Sequence, residues 1–123
     1  MPPSYDPRYL KYFEHFGQGD YFEAHEVLEA LWLEDHSESR DFYKGLIQAA
    51  VTLHHIETGN RGGAKKVHRT AVGYLKSYEP THLGLDVTKF VSDFTVCLDN
   101  ALSKPDPITL DPTTVPRPSL KLS

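Results

Sequence analysis

The chain has one cysteine, one methionine and one tryptophan among its 123 residues. A lone Cys97 cannot form an internal disulfide framework or a thiolate zinc cluster, so a reducing, cytoplasmic setting is expected. No stretch approaches the ~20 consecutive apolar residues of a membrane span, which excludes a transmembrane function. Met1 to Asp6 has neither a basic region nor an apolar run, so no secretory signal is expected. Basic residues are outnumbered, 13 against 17 acidic, for a net charge of −4. That balance argues against nucleic acid as a partner. No segment alternates apolar and polar residues as a half-buried strand does. The length suits one domain and leaves no room for a second catalytic one.

What is present is helical periodicity broken by turn signals. Asp6-Pro7 is a cap with proline at the first helical position, and Tyr9, Leu10, Tyr12, Phe13 and Phe16 share a side before Gly17. Gly19-Asp20 opens a second helix, with Asp20 and Glu23 at capping-box spacing, running through Trp32 to about Asp35. A third spans about Asp41 to Thr58 and stops at Gly59. Asn60 caps a fourth, which reaches about Tyr78 before Pro80, and Asp86 caps a fifth carrying Val87, Phe90, Val91, Phe94, Cys97, Leu98, Ala101 and Leu102. Pro105, Pro107, Pro112, Pro116 and Pro118 then forbid a helix. Ile108 and Leu110 can dock on the body, and little order is expected beyond Pro116. The reading is an all-α bundle of about five helices over residues 1–103, with an extended Pro-rich tail over 104–123. His15 to Ala24 and His55 to Ala64 repeat one pattern: a helix end, a glycine turn and a helix start. It reads as two helical hairpins rather than a solenoid.

The second helix carries an anomaly. Tyr21, Ala24, Leu28, Leu31 and Trp32 define its apolar face, yet His25 and Glu29 fall inside that face, four residues apart. Glu26 sits at the border. A carboxylate directed into a core is destabilising unless paired, and His25 is its nearest partner. The third helix is apolar nearly all round, with one polar stripe of Lys44, Gln48, Thr52 and His55. Antiparallel packing would let Gln48 and His55 look across at His25 and Glu29. His54 should point elsewhere, so His54-His55 is not a chelating pair.

Phe13 to Asn60 resembles the domain-of-unknown-function family 309 of bacteria and archaea. The matching pieces are Tyr21-Phe22-Glu23-Ala24-His25-Glu26 with Leu28-Glu29 and Trp32, then Phe42-Tyr43-Lys44-Gly45-Leu46-Ile47-Gln48, then His55 with Gly59-Asn60. The resemblance implies a compact cytoplasmic helical bundle and brings no activity. It also implies that His25, Glu26, Glu29, Trp32, Gln48 and His55 belong to one signature.

Such a cluster admits three uses. His25, Glu29 and His55 could ligate a divalent metal, the only cofactor the sequence suggests. His25-Glu26-Val27-Leu28-Glu29 resembles the zincin helix, with Glu29 where that motif has its second histidine. Alternatively a metal-free pocket binds a small polar molecule, with Trp32 and Gln48 as ligand-binding residues and Glu26 or Glu29 as the base of any catalysis. Third, the residues form a structural His–Glu–Gln hydrogen-bond network, with the indole N–H of Trp32 satisfied in the core. The chain would then be a non-enzymatic interaction module meeting a protein partner through exposed Tyr5, Tyr9 or Tyr12 and the tail. Apolar residues on the third helix and the 7 tyrosines are compatible with a homodimer. Arg61, Lys65, Lys66, His68, Arg69 and Lys76 make the fourth helix basic, and Gly62-Gly63 leaves its first turn open to a phosphate or free for a close helix crossing.

Overall fold

A computed structural model describes residues 5–121. Five helices form the body: α1 (Pro7–Gly17), α2 (Tyr21–Glu34), α3 (Arg40–Glu57), α4 (Arg61–Leu75) and α5 (Val87–Leu102). Single 3-10 turns at Lys76–Tyr78 and Pro112–Thr114 extend α4 and interrupt the C-terminal segment. The predicted all-helical bundle is the observed one.

The caps explain where these helices begin. The side chains of Asp6, Asn60 and Asp86 accept from the backbone N–H groups of Arg8, Gly63 and Lys89. Asp20 differs: its side chain makes no capping bond, so the box expected with Glu23 does not form. Instead α2 starts on the turn before it. Gly19 is left-handed (φ +80°), and the N–H groups of Gly19 and Asp20 donate to the carbonyls of Phe16 and His15. Gly59 (φ +78°) does the same, with Gly59 and Asn60 donating to Ile56 and His55. The internal repeat is therefore one helix-ending glycine turn used twice.

Helix α3 is the centre. It lies between α2 and α4, and α1 packs on α2. Phe42, Leu46, Ala49, Ala50, Leu53 and Ile56 are sealed from solvent. The approach of α4 is closest at Gly45, where an added Cβ would lie 2.7 Å from Leu75 Cγ. Gly62 and Gly63 do not serve that purpose. Nothing stands within 4 Å of a Cβ at Gly62, and one at Gly63 would strike the capping side chain of Asn60. The first turn of α4 is also not free for a phosphate through Arg61. That guanidinium pairs with Asp106 at 3.0 Å and donates to the carbonyls of Leu102 and Lys104, closing the end of α5. His68 is likewise inside the packing, bonded to Thr95 at 3.0 Å and resting on Phe94.

A small hairpin was not foreseen. Strands β1 (Thr81–His82) and β2 (Leu85–Asp86) pair antiparallel around Leu83-Gly84, both with positive φ. Two residues per strand are too few to show alternation, and positive φ at both turn positions is the hairpin-compatible geometry. His82 packs edge-on against Phe42 and bonds Ser39 Oγ at 2.8 Å. The chain beyond α5 buries Ile108 and Pro116, and the N–H of Lys121 donates to the Gly84 carbonyl at 2.8 Å. Composition predicted no fixed position beyond Pro116; this backbone bond and the buried proline supply one.

The tyrosines expected on the surface are mostly core. Tyr9 and Tyr12 are sealed, and their hydroxyls donate to the carbonyls of Leu83 and Leu46. Tyr5 is half-buried and donates to the Lys121 carbonyl. Burial of a large aromatic is worth more than its exposed hydroxyl, provided the hydroxyl finds an acceptor. A partner-binding face made of Tyr9 and Tyr12 is thereby excluded.

Gly45→Ala should destabilise by roughly 1–3 kcal/mol through overpacking against Leu75. Gly62→Ala should leave stability unchanged or raise it by up to about 1 kcal/mol. Urea unfolding of both variants checks the contrast. A second expectation concerns pH. Burial holds the imidazoles of His68 and His82 below their usual range. The unfolded chain therefore binds protons that the folded one resists, and stability falls as pH drops below about 6.5 towards the folded-state values. Melting temperature measured from pH 7.5 to 5.5 should decline, and the decline should flatten in His68→Gln/His82→Gln.

Candidate functional site

The signature residues lie along the seam between α2 and α3. His25, Glu29 and Trp32 recur one turn apart on α2, and Arg40, Lys44 and Gln48 recur every four residues on α3. The two rows face each other because the helices run antiparallel. At one end Trp32 meets Arg40 and Lys44; at the other Phe22 meets His54.

At the Trp32 end the guanidinium carbon of Arg40 sits 4.2 Å from the ring centroid and Lys44 Nζ 4.4 Å. Two cations on one indole give an electropositive patch held by the ring quadrupole. The hydrogen bonding there is incomplete. Trp32 Nε1, Arg40 Nε and Gln48 Oε1 are buried atoms with no hydrogen-bond partner in the protein. The indole N–H expected to be satisfied thus has no partner in the protein, and neither neighbouring cation can accept from it.

Midway along the seam, His25 Nε2 and Glu29 Oε2 stand 3.2 Å apart. The pair is part-open, with side-chain exposures of 23% and 45%. Glu26 is exposed at the border. Gln48 and His55 do not join this pair. Thr52 takes the Gln48 carbonyl through its hydroxyl and is buried rather than part of a solvated stripe. His55 Nδ1 is 3.3 Å from Asn60 Nδ2, at the glycine turn. His54, expected to point away, meets α2 at Phe22: its ring and that of His25 each lie 5.7 Å from the Phe22 ring. Among the described residues no group of three or more His, Cys, Asp or Glu is gathered as a metal would need. The continuous His–Glu–Gln network is also not formed; only its first link is present.

Residues 9–67, from α1 into α4, match a domain of unknown function, DUF309. This segment is a DUF309 domain. The whole α2–α3 seam falls within it, whereas the hairpin, α5 and the C-terminal segment lie outside. The chain is 37% identical over 86 residues to the uncharacterized protein YpuF of Bacillus subtilis (strain 168), an alignment covering 67% of this chain and 49% of that protein. It is 40% identical over 55 residues to an uncharacterized protein of Aquifex aeolicus (strain VF5), covering 44% of this chain and 16% of that one. The chain thus spans about half the length of the first relative and a smaller share of the second. No solved structure matches it.

Arg40 is the DUF309 seam residue that sequence reasoning missed. It lies four residues before Lys44 and so continues the polar stripe, but it falls in the expected inter-helix turn. Two cavities lie away from the seam. One, of about 300 Å³, is walled by Tyr21, Glu57 and Arg117. There burial raises the Glu57 carboxyl and pushes the Tyr21 hydroxyl up to about 12. The other, of about 650 Å³, lies between the hairpin, α5 and the C-terminal segment.

A half-open ion pair one helical turn apart should contribute less than about 1 kcal/mol. A double-mutant cycle on His25→Ala and Glu29→Ala should return a coupling of that size. His55→Ala should cost under about 1 kcal/mol as well, because its contact with Asn60 is exposed.

Proposed function

We propose that the α2–α3 seam of this DUF309 domain binds a small hydroxy or amino acid. The carrying observation is the row of buried, unpartnered hydrogen-bonding atoms at Trp32, Arg40 and Gln48. Two are donors, Trp32 Nε1 and Arg40 Nε, with Lys44 as a second cation beside the ring, which suits a carboxylate; the third is an acceptor, Gln48 Oε1, one turn beyond Lys44 on α3, which suits a hydroxyl or ammonium of the ligand. Trp32 and Gln48 act as ligand-binding residues, with Arg40 and Lys44 supplying the charge. Glu29, already held by His25, is the base this arrangement offers, and Glu26 lies too far into solvent to serve as well. The three atoms are buried and neither cavity reaches the seam, so binding requires side-chain movement and weak affinity is expected, with Kd of about 1 mM. We place the protein in the cytoplasm on its single, buried cysteine.

Trp32 is the sole tryptophan, so its fluorescence reports the site directly. Titration with lactate should give a saturable change at least about tenfold tighter than titration with acetate, since only lactate can donate to Gln48 (a factor of ten is about 1.4 kcal/mol). Gln48→Ala should remove that difference, and Arg40→Gln should weaken both. No saturable change with either acid would overturn the reading. A second outcome would replace it. Elemental analysis of untagged protein that finds near-stoichiometric metal, lost in His25→Ala and His55→Ala, would make the seam a metal site with His25, Glu29 and His55 as ligands.

A further inference from the structure

The cavity of about 650 Å³ lies outside the DUF309 segment, and its walls are chemically lopsided. Phe90 and Leu85, which are 2% and 1% exposed, close the cavity from beneath, and the half-buried Leu83 gives it apolar surface. Pro116 and Pro118 of the C-terminal segment add to the apolar wall. The charged groups are unequally engaged. Asp93 holds Lys89 Nζ at 2.6 Å, and the Asp86 carboxylate accepts the Lys89 backbone N–H as the cap of α5. Asp93 is paired with Lys89, whereas the Asp86 carboxylate has no cationic partner within ion-pair distance among the described residues and still lines the wall. Arg117 and Lys121 line the same space and have no acidic partner within ion-pair distance among the described residues. The wall thus carries three cations, Lys89, Arg117 and Lys121, against two carboxylates, Asp86 and Asp93.

The wall carrying those cations is fixed in place. Lys121 is bonded through its N–H to the Gly84 carbonyl at 2.8 Å and through its carbonyl to the Tyr5 hydroxyl at 2.9 Å. Gly84 allows this approach because it lacks a side chain: a Cβ there would lie 2.5 Å from the Lys121 carbonyl oxygen. Residues 116–121 thus span the cavity as a strap, anchored at buried Pro116 and at Lys121. The volume is within the roughly 300–1,000 Å³ of small-molecule sites, which are typically mostly apolar with a few polar groups that fix orientation.

We infer that this cavity is a second binding site, for an amphiphilic anion: an aromatic or short acyl body on Phe90 and Leu85, with a carboxylate or sulfonate head between Arg117 and Lys121. It is independent of the α2–α3 seam, with which it shares no residue. The head group is the selective element, because the apolar floor would accept a neutral or a charged body alike.

The test uses the full chain and the fluorescent probe 8-anilinonaphthalene-1-sulfonate, with the uncharged N-phenyl-1-naphthylamine as its counterpart. The sulfonate should bind saturably, one per chain, while the thermal transition stays cooperative. Arg117→Ala/Lys121→Ala, both surface positions, should weaken the sulfonate at least tenfold and leave the neutral probe within about twofold. Phe90→Leu, which keeps an apolar floor of different shape, should weaken both. Non-saturating binding overturns the inference, as does equal affinity of wild type and the double variant for the sulfonate. A neutral probe that binds as tightly as the sulfonate to wild type overturns the choice of an anion. None of these readings involves Trp32 or Gln48, so the outcome is separate from that of the seam.

Discussion

The constraint on which this structure depends is the burial of α3 on two sides at once. Ten of its eighteen residues are buried, and they face both α2 and α4. A helix enclosed in that way has little freedom to rotate: turning it would expose Leu46 or Ile56 and drive a polar residue inward. Gly45 tightens the constraint, since it lets Leu75 approach where any Cβ would collide. The register of α3 against α2 follows from this. Arg40 and Lys44 are delivered to Trp32 because α3 cannot sit otherwise, not because the cation–indole contacts are strong enough to place it.

The same constraint explains what could and could not be read from sequence. Helix starts and stops were legible because they are local chemistry: Asp6, Asn60 and Asp86 cap within three residues, and Gly19 and Gly59 turn the chain on their own φ angles. The pairing of His25 with Glu29 was legible for the same reason, being one helical turn. Partners across the seam were not. A helical wheel gives the face of a residue but not its level along the neighbouring helix. The level at which His54 meets Phe22 and His55 meets Asn60 is therefore not readable from a wheel, and Arg40 lies just before the expected start of the third helix. The hairpin and the strap escaped because two-residue strands and proline-rich backbone carry no periodicity. The buried tyrosines escaped for a different reason: their acceptors are the carbonyls of Leu46, Leu83 and Lys121, which no pattern in the side chains reveals.

The energetics of the seam separate its apolar residues from its polar ones. The contacts that hold α2 on α3 are apolar, with Ala24, Leu28 and Leu31 all buried. Burying aliphatic side chains the size of Leu28 or Leu31 contributes roughly 1.5–3 kcal/mol each. The polar residues of the seam oppose that sum or add little to it. The half-open His25–Glu29 pair contributes under about 1 kcal/mol. Each unpartnered buried hydrogen-bonding atom at Trp32, Arg40 and Gln48 is unfavourable by roughly 1–3 kcal/mol, only partly offset by cation–indole attraction of about 1–2 kcal/mol. A purely structural interface would be at least as stable with apolar residues at those positions. The seam therefore carries buried polar atoms without a partner, and these, rather than any contribution to the core, distinguish Trp32, Arg40 and Gln48 from the rest of α2 and α3.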